Sequence, residues 1–277
     1  MRHHAGTGAG GDRAVNQGIR GCIAVLFILY CITWIGPPVR AEETVLVAAA
    51  ANLSHTLEEI IARYEDHTGN KVRASYGASG NLTQQVLQGA PFQVFLPADR
   101  KSLDRLQMKN HSIVASNVLA RGRIGFFVPR DSSLAGQDLK SLLHALQNGK
   151  YRRLALANPE TAPYGVAAME ALQKAGVWVL EEDKLLLGES VAQAMQFALS
   201  GGVDLGVVPL SYASLPEVAG KGEFLEIPEN WHQPLLQYRV LLVDTAPARG
   251  FYEFLSSPTA KEILKYHGYE TQLTNDH

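Results

Sequence analysis

Val45-Leu-Val-Ala-Ala-Ala-Ala-Asn52-Leu-Ser54-His-Thr56-Leu-Glu-Glu-Ile60 is the stretch from which the fold is read. A short apolar strand runs into four alanines, and from Asn52 the apolar positions recur at helical spacing. Small residues at a strand end let another body approach the backbone. Asn52, Ser54 and Thr56 can each cap a helix, and Thr56-Leu-Glu-Glu59 has the capping-box spacing. A helix start aimed out of a sheet presents free N–H groups and a partial positive charge, an arrangement suited to an anion.

The same unit recurs along the chain. Strands are expected at Glu43–Ala49, Lys71–Tyr76, Gln93–Asp99, Arg123–Val128, Leu154–Ala157, Lys184–Leu187, Asp204–Val208 and Leu236–Val243. Helices fall between them, at Leu53–His67, Leu82–Gly89, from Asp99 through Leu106, and at Leu139–Asn148, Val166–Ala175 and Ala192–Ser200, with two more near Ala248–Leu255 and Thr259–His267. This alternation predicts an α/β fold with parallel sheets. There are too many units for one small sheet, and no linker or repeat divides them. The expectation is two α/β lobes, 42–121 with 243–277 and 122–242, joined by two crossings, with ligand in the cleft between them.

The first 41 residues stand apart. Arg2, Arg13 and Arg20 precede the apolar run Cys22–Ile35, and Gly36-Pro-Pro-Val39-Arg-Ala41 follows, the pattern of a signal peptide cut after Ala41. The apolar run is shorter than the roughly 20 residues of a membrane span, and no lipoprotein cleavage pattern precedes either cysteine. Cleavage would remove both cysteines, so disulfide and thiol chemistry are not expected. The whole chain has a formal charge of −2, and the mature part, with 21 basic and 26 acidic residues, would carry −5. That balance argues against nucleic acid as a partner, and any anion must be held locally. Export without cysteines or a lipid anchor points to a bacterial periplasm.

Four strand-to-helix turns stand out: Ala51-Asn52, Ala78-Ser79-Gly80, Pro163-Tyr164-Gly165 and Ser190-Val191. Two belong to each expected lobe, and none supplies a Lys, an Arg or a carboxylate. Converging neutral donors and helix dipoles suffice to hold a dehydrated, fully deprotonated oxyanion. A protonated relative would leave a donor facing a donor, a cost of roughly 1–3 kcal/mol. Taken singly, Asn52 and Ser79 read as N-caps, Tyr164 as a turn aromatic, Val191 as core, and His55 as a solvated first-turn residue. Asp99 reads as the cap of the next helix. No His, Cys, Asp or Glu set has metal-ligand spacing, and Ser79 lacks the nucleophile elbow.

Taken together, Val-Ala-Ala-Ala-Ala-Asn-Leu, Tyr76-Gly-Ala-Ser-Gly-Asn-Leu82, Gly89-Ala-Pro-Phe-Gln-Val-Phe-Leu-Pro-Ala-Asp99, Ala157-Asn-Pro-Glu-Thr-Ala-Pro-Tyr-Gly165, Glu189-Ser-Val-Ala-Gln-Ala194 and Asp204-Leu-Gly-Val-Val208 resemble the periplasmic molybdate-binding protein family. The likeness covers about residues 43–272, with the motifs in order. It implies a type II periplasmic-binding-protein fold and capture of molybdate, with nearly isosteric tungstate, for the permease and ATPase subunits of an ABC importer. It also implies a monomer with no cofactor and no catalysis. Carried over residue by residue, it places Ala51 and Asn52 at the first binding turn, Ser79 at the second, Tyr164 at the interlobe turn and Val191 at the fourth. The side chains of Asn52, Ser79 and Tyr164 are candidate donors beside the backbone.

Two departures are visible: Ala51-Asn52 stands where many members have a hydroxyl, and Pro209 stands near the place of a binding tyrosine. The alternatives are another tetrahedral oxyanion (sulfate, phosphate or thiosulfate), a tetrapyrrole-building enzyme on the same scaffold, or a regulator's sensing half. The enzyme would need a cysteine and the regulator a DNA-binding segment.

Overall fold

In the computed structural model, which describes residues 44–178 and 182–272, β1 (Val45–Ala50) is buried along almost its whole length. The expected leader and its cleavage site lie outside the described residues. A 3-10 turn (Ala51–Leu53) links β1 directly to α1 (Ser54–Thr68), which ends on Gly69 in the left-handed region at φ 73°. The chain continues through β2 (Val72–Gly77), α2 (Ser79–Leu87), β3 (Val94–Leu96), α3 (Arg100–Met108), β4 (Ala115–Gly122) and β5 (Ile124–Pro129). Then come α4 (Leu139–Gln147), β6 (Leu154–Ala157), α5 (Pro163–Lys174), β7 (Leu185–Gly188), α6 (Val191–Leu199) and β8 (Leu205–Pro209). The last elements are β9 (Gly222–Glu226), β10 (Leu235–Leu241), α7 (Ala246–Phe254) and α8 (Pro258–Tyr266).

Among the described residues the strands form two five-stranded sheets, ordered β2-β1-β3-β10-β4 and β7-β6-β8-β5-β9. Each defines one α/β lobe. The sheets are mixed and not purely parallel as expected: β10 runs antiparallel to β3 and β4, and β5 antiparallel to β8 and β9. Apolar pattern reports that a segment is buried in a sheet, while strand direction depends on which distant segment it pairs with. The same reason corrects the lobe division. The segment 235–241, assigned by sequence to the second lobe, hydrogen-bonds within the first sheet, so the return crossing lies before Leu235 and not at 242. β4 and β9 were not anticipated. Both are edge strands with exposed polar positions, and they lack the buried apolar run that marked the others.

The two crossings run side by side. Arg123 alone separates β4 from β5, and Gly122 pairs in register with Leu235 on the return. The Arg123 guanidinium bonds Glu226, and its Nε lies 3.1 Å from Glu229 on that return segment.

The sheet of the first lobe is covered on both faces. Leu57, Ile60 and Tyr64 of α1 pack with Phe251, Leu255 and Leu264 from α7 and α8 on one side, while Leu82, Val86, Leu103 and Leu106 cover the other. Each such fully buried side chain contributes about 1.5–3 kcal/mol relative to exposure. The largest apolar cluster centres on the second lobe and extends through Ala50, Ala51, Ala78 and Ala98 of the first. The alanines at the strand ends are therefore where the lobes meet. Among the described residues no helix is long and apolar enough to cross a membrane.

Candidate functional site

Register brings the strand ends together. Ala50 of β1 lies beside Gly77 of β2, and Ala157 of β6 beside Gly188 of β7. Behind each end a helical segment begins, so two N-termini of each lobe point into the interlobe space. Ala51, Asn52, Ser79, Tyr164 and Val191, the five residues singled out by sequence, all line one cavity there, with Ala78, Ala98, Ala162, Pro163 and Ser190. Every lining residue is uncharged.

The enclosed volume is about 10 Å³. A site for an organic ligand occupies roughly 300–1,000 Å³, so this one excludes an organic molecule and is near the roughly 10–15 Å³ that one water needs. Two larger clefts, of 390 Å³ beside Arg130 and Arg152 and 560 Å³ beside Phe92 and Val243, gather no such set of helix starts. Size alone does not choose the site.

The donors are backbone first. Ala51 and Asn52 open the 3-10 turn, Ser79 is the first residue of α2, and Val191 the first of α6. Tyr164 is the second of α5, after Pro163, which has no N–H. None of these positions has a carbonyl one turn behind it inside its own helix, so their N–H groups have no intrahelical partner. Each helix end adds a partial charge of up to roughly +0.5. The Ser79 side chain adds one more donor. Its Oγ accepts the Ala98 N–H at 3.0 Å, which leaves the hydroxyl proton free to turn into the cavity.

Three expectations about side chains need correction. Asn52 neither caps a helix nor has an amide N–H to spare: its Nδ2 donates to Gln237 Oε1 at 2.8 Å and to the Tyr269 oxygen at 3.0 Å. Tyr164's hydroxyl sits beside Gly122, Gln237 and Tyr269, none of which lines the cavity. The Thr56–Glu59 capping box does not form, because the helix has already begun at the 3-10 turn and Thr56 lies buried inside it. Asp99 does cap the next helix, accepting Ser102 N–H at 2.9 Å. His55 is half-exposed, 3.6 Å from Glu217.

Behind the donors lies a buried polar network that sequence reasoning missed. Tyr269's hydroxyl donates to the Asn52 carbonyl at 2.7 Å, and Tyr212's to the Ala51 carbonyl at 3.0 Å. Ser211 Oγ is 3.4 Å from the Asn52 carbonyl, and Gln237 Nε2 donates to Leu235 O at 3.1 Å. Burial raises the pKa values of Tyr164 and Tyr212 and pushes that of Tyr269 up to about 12. All three phenols are therefore neutral donors at ordinary pH. These residues lie 159 to 217 positions from the turn they hold, which is why no local pattern announces them.

The lobes also touch at the cavity's rim, where Gly80 N–H donates to Thr161 O at 2.9 Å. Space there is close: a Cβ on Gly80 would lie 2.8 Å from that oxygen. Among the described residues, no group of three or more His, Cys, Asp or Glu is placed to hold a metal ion.

The family profile of bacterial extracellular solute-binding proteins matches residues 45–270. The chain belongs to that family. Within this solute-binding family it is 35% identical over 240 residues to the molybdate-binding protein ModA of Rhodobacter capsulatus, covering 85% of this chain and 91% of the relative. It is 33% identical over 232 residues to ModA of Azotobacter vinelandii, covering 82% and 90%. The solved periplasmic molybdate-binding protein of Azotobacter vinelandii superposes with a TM-score of 0.75 at 29% identity, over 83% of this chain and all of that one. The resemblance read from the motifs and the two-lobed α/β fold it implied are thus those of the solute-binding family.

Proposed function

We propose that this chain captures a tetrahedral oxyanion, molybdate and with it tungstate, and passes it to the membrane permease and ATPase subunits of an ABC importer. The observation that carries this reading is the convergence of four uncharged helix starts, two from each lobe, on one small cavity. Such walls offer N–H and hydroxyl donors and no charged group. A fully deprotonated tetrahedral oxyanion offers acceptors only, and dehydrating it is offset by charge-assisted bonds in a water-excluded space. The molybdate-binding relatives support this ion over sulfate or phosphate.

Ala51, Asn52, Ser79, Tyr164 and Val191 are the proposed ligand residues, each through its backbone N–H or, for Ala51, its place in the turn, with the Ser79 hydroxyl as the one side-chain donor. The lobes, proposed as 44–122 with 235–272 and 124–226, would close about the crossings at Arg123 and 227–234. The chain's role is binding without turnover, with no resident cofactor, as a periplasmic monomer released from a leader ending at Ala41. Closure would present a continuous surface of both lobes to the importer.

Calorimetric titration of the purified protein with molybdate, tungstate, sulfate and phosphate tests the reading. Tight binding of the first two, with weak or absent response to the others, is expected. Tight sulfate or phosphate binding with no molybdate heat would overturn it.

A further inference from the structure

We propose that Tyr212 is a positioning residue for the anion site: its hydroxyl, supplied by the second lobe, orients and polarises the Ala51–Asn52 peptide whose N–H faces the anion. The inference rests on the oxyanion reading above and names a residue that does not itself line the cavity.

Tyr212 is 2% exposed and belongs to a short 3-10 segment, Leu210–Ser214, directly after β8. Its hydroxyl donates to the Ala51 carbonyl at 3.0 Å, and the same carbonyl accepts the Ser54 N–H. That carbonyl and the Asn52 N–H are the two ends of one peptide group. Donors on the oxygen draw electron density from the nitrogen and make its proton a stronger donor, by roughly 10–30% per bond in a low-dielectric site. The Tyr212 ring stands edge-on to His55 at 5.8 Å.

Tyr269 differs in an instructive way. It bonds the Asn52 carbonyl, whose peptide partner is the Leu53 N–H, and that N–H is spent inside the 3-10 turn. Tyr269 therefore fixes the turn, while Tyr212 acts on a donor that reaches the anion. Tyr212, three residues after Pro209, reaches the first-lobe turn from behind and acts through the peptide instead of on the ligand.

The test titrates the wild-type protein, Tyr212→Phe, and protein with 3-fluorotyrosine installed at position 212 with the same four anions. Melting of the ligand-free proteins and the Asn52 amide proton shift in the anion-loaded state are recorded alongside. Tyr212→Phe keeps the ring and loses the donor; its Kd is expected to rise by up to about fivefold, as about 10–30% of a charge-assisted bond gives, with the Asn52 proton moving upfield and ligand-free melting little changed. The more acidic fluorotyrosine is expected to do the reverse, tightening binding and moving that proton downfield. If Tyr212→Phe does not fold, the fluorotyrosine protein decides alone.

A Kd and an Asn52 proton shift both indistinguishable from wild type in the two variants would overturn the inference, since polarising a charge-assisted donor must move both. So would weakened binding with an unmoved Asn52 proton, which is what a merely structural role predicts. If the wild type takes sulfate or phosphate and not molybdate, the molybdate reading fails while Tyr212 is still judged on the anion bound. If it takes none of the four, both fail.

Discussion

Replacing Gly80 by alanine isolates lobe closure from everything else in the site. Gly80 is the second residue of α2, where alanine is compatible with the helix and improves its propensity by up to about 1 kcal/mol. Its Cβ, however, would stand 2.8 Å from the Thr161 carbonyl oxygen and 3.3 Å from the Thr161 Cα across the cleft. Both are backbone atoms, so no side chain can swing aside, and the lobes must part by several tenths of an ångström. Parting them stretches the 2.9 Å Gly80–Thr161 bond, worth about 1 kcal/mol. It also draws the Tyr164 and Val191 N–H groups back from an anion seated on the first lobe, weakening at least one charge-assisted bond of roughly 1.5–3 kcal/mol. A net loss of about 2 kcal/mol corresponds to a Kd about 30-fold higher. Calorimetry with molybdate reads the affinity, and thermal melting of the ligand-free protein reads stability, expected to stay level or rise. A Gly80→Ala protein that binds within threefold of wild type would refute the closed-rim argument, because it would mean the 2.8 Å contact does not form in the loaded state.

Other perturbations separate the donors from the frame behind them. Ser79→Ala removes the hydroxyl donor and orphans the Ala98 N–H; molybdate affinity should fall roughly 10- to 100-fold and ligand-free stability by about 1–3 kcal/mol, read by calorimetry and urea unfolding. Asn52→Ala should act mainly on stability. It strips Gln237 Oε1 and the Tyr269 oxygen of their donor, so unfolding free energy should drop by about 2–3 kcal/mol; an unchanged urea midpoint would show that the network is not holding the turn. In alkali the buried phenols set the limit. Tyr269 is pushed up to about 12 and Tyr164 is raised, both chiefly by burial. Raised folded values mean their contribution is complete below the unfolded value of about 10 and is lost as pH climbs through about 12. Melting scans should therefore show stability falling only above about pH 10, while molybdate affinity stays flat from about pH 6 to 9, since no cavity-lining residue is acidic, basic or histidine.

What the sequence determined by itself is what local chemistry can encode. Alanines and glycines at strand ends, helical periods behind them and the absence of charge at four matching turns are properties of short stretches, and the five residues they single out are among the twelve that line the cavity. They also placed most helices to within a few residues. The tertiary structure alone decided the rest, because it depends on partners far along the chain. β10 joins the first sheet antiparallel through pairs with Phe95 and Asn117, choices that its own apolar pattern does not contain. Asn52's amide is engaged by Gln237 and Tyr269, 185 and 217 residues away. Tyr164's ring reaches past the cavity to the same network. A side chain that caps or binds when exposed is drawn into whatever buried polar partners the fold brings within 3 Å, since leaving those partners unpaired would cost more. The short-range code thus fixed which backbone faces the cleft, and the long-range packing fixed which side chains were left free to use it.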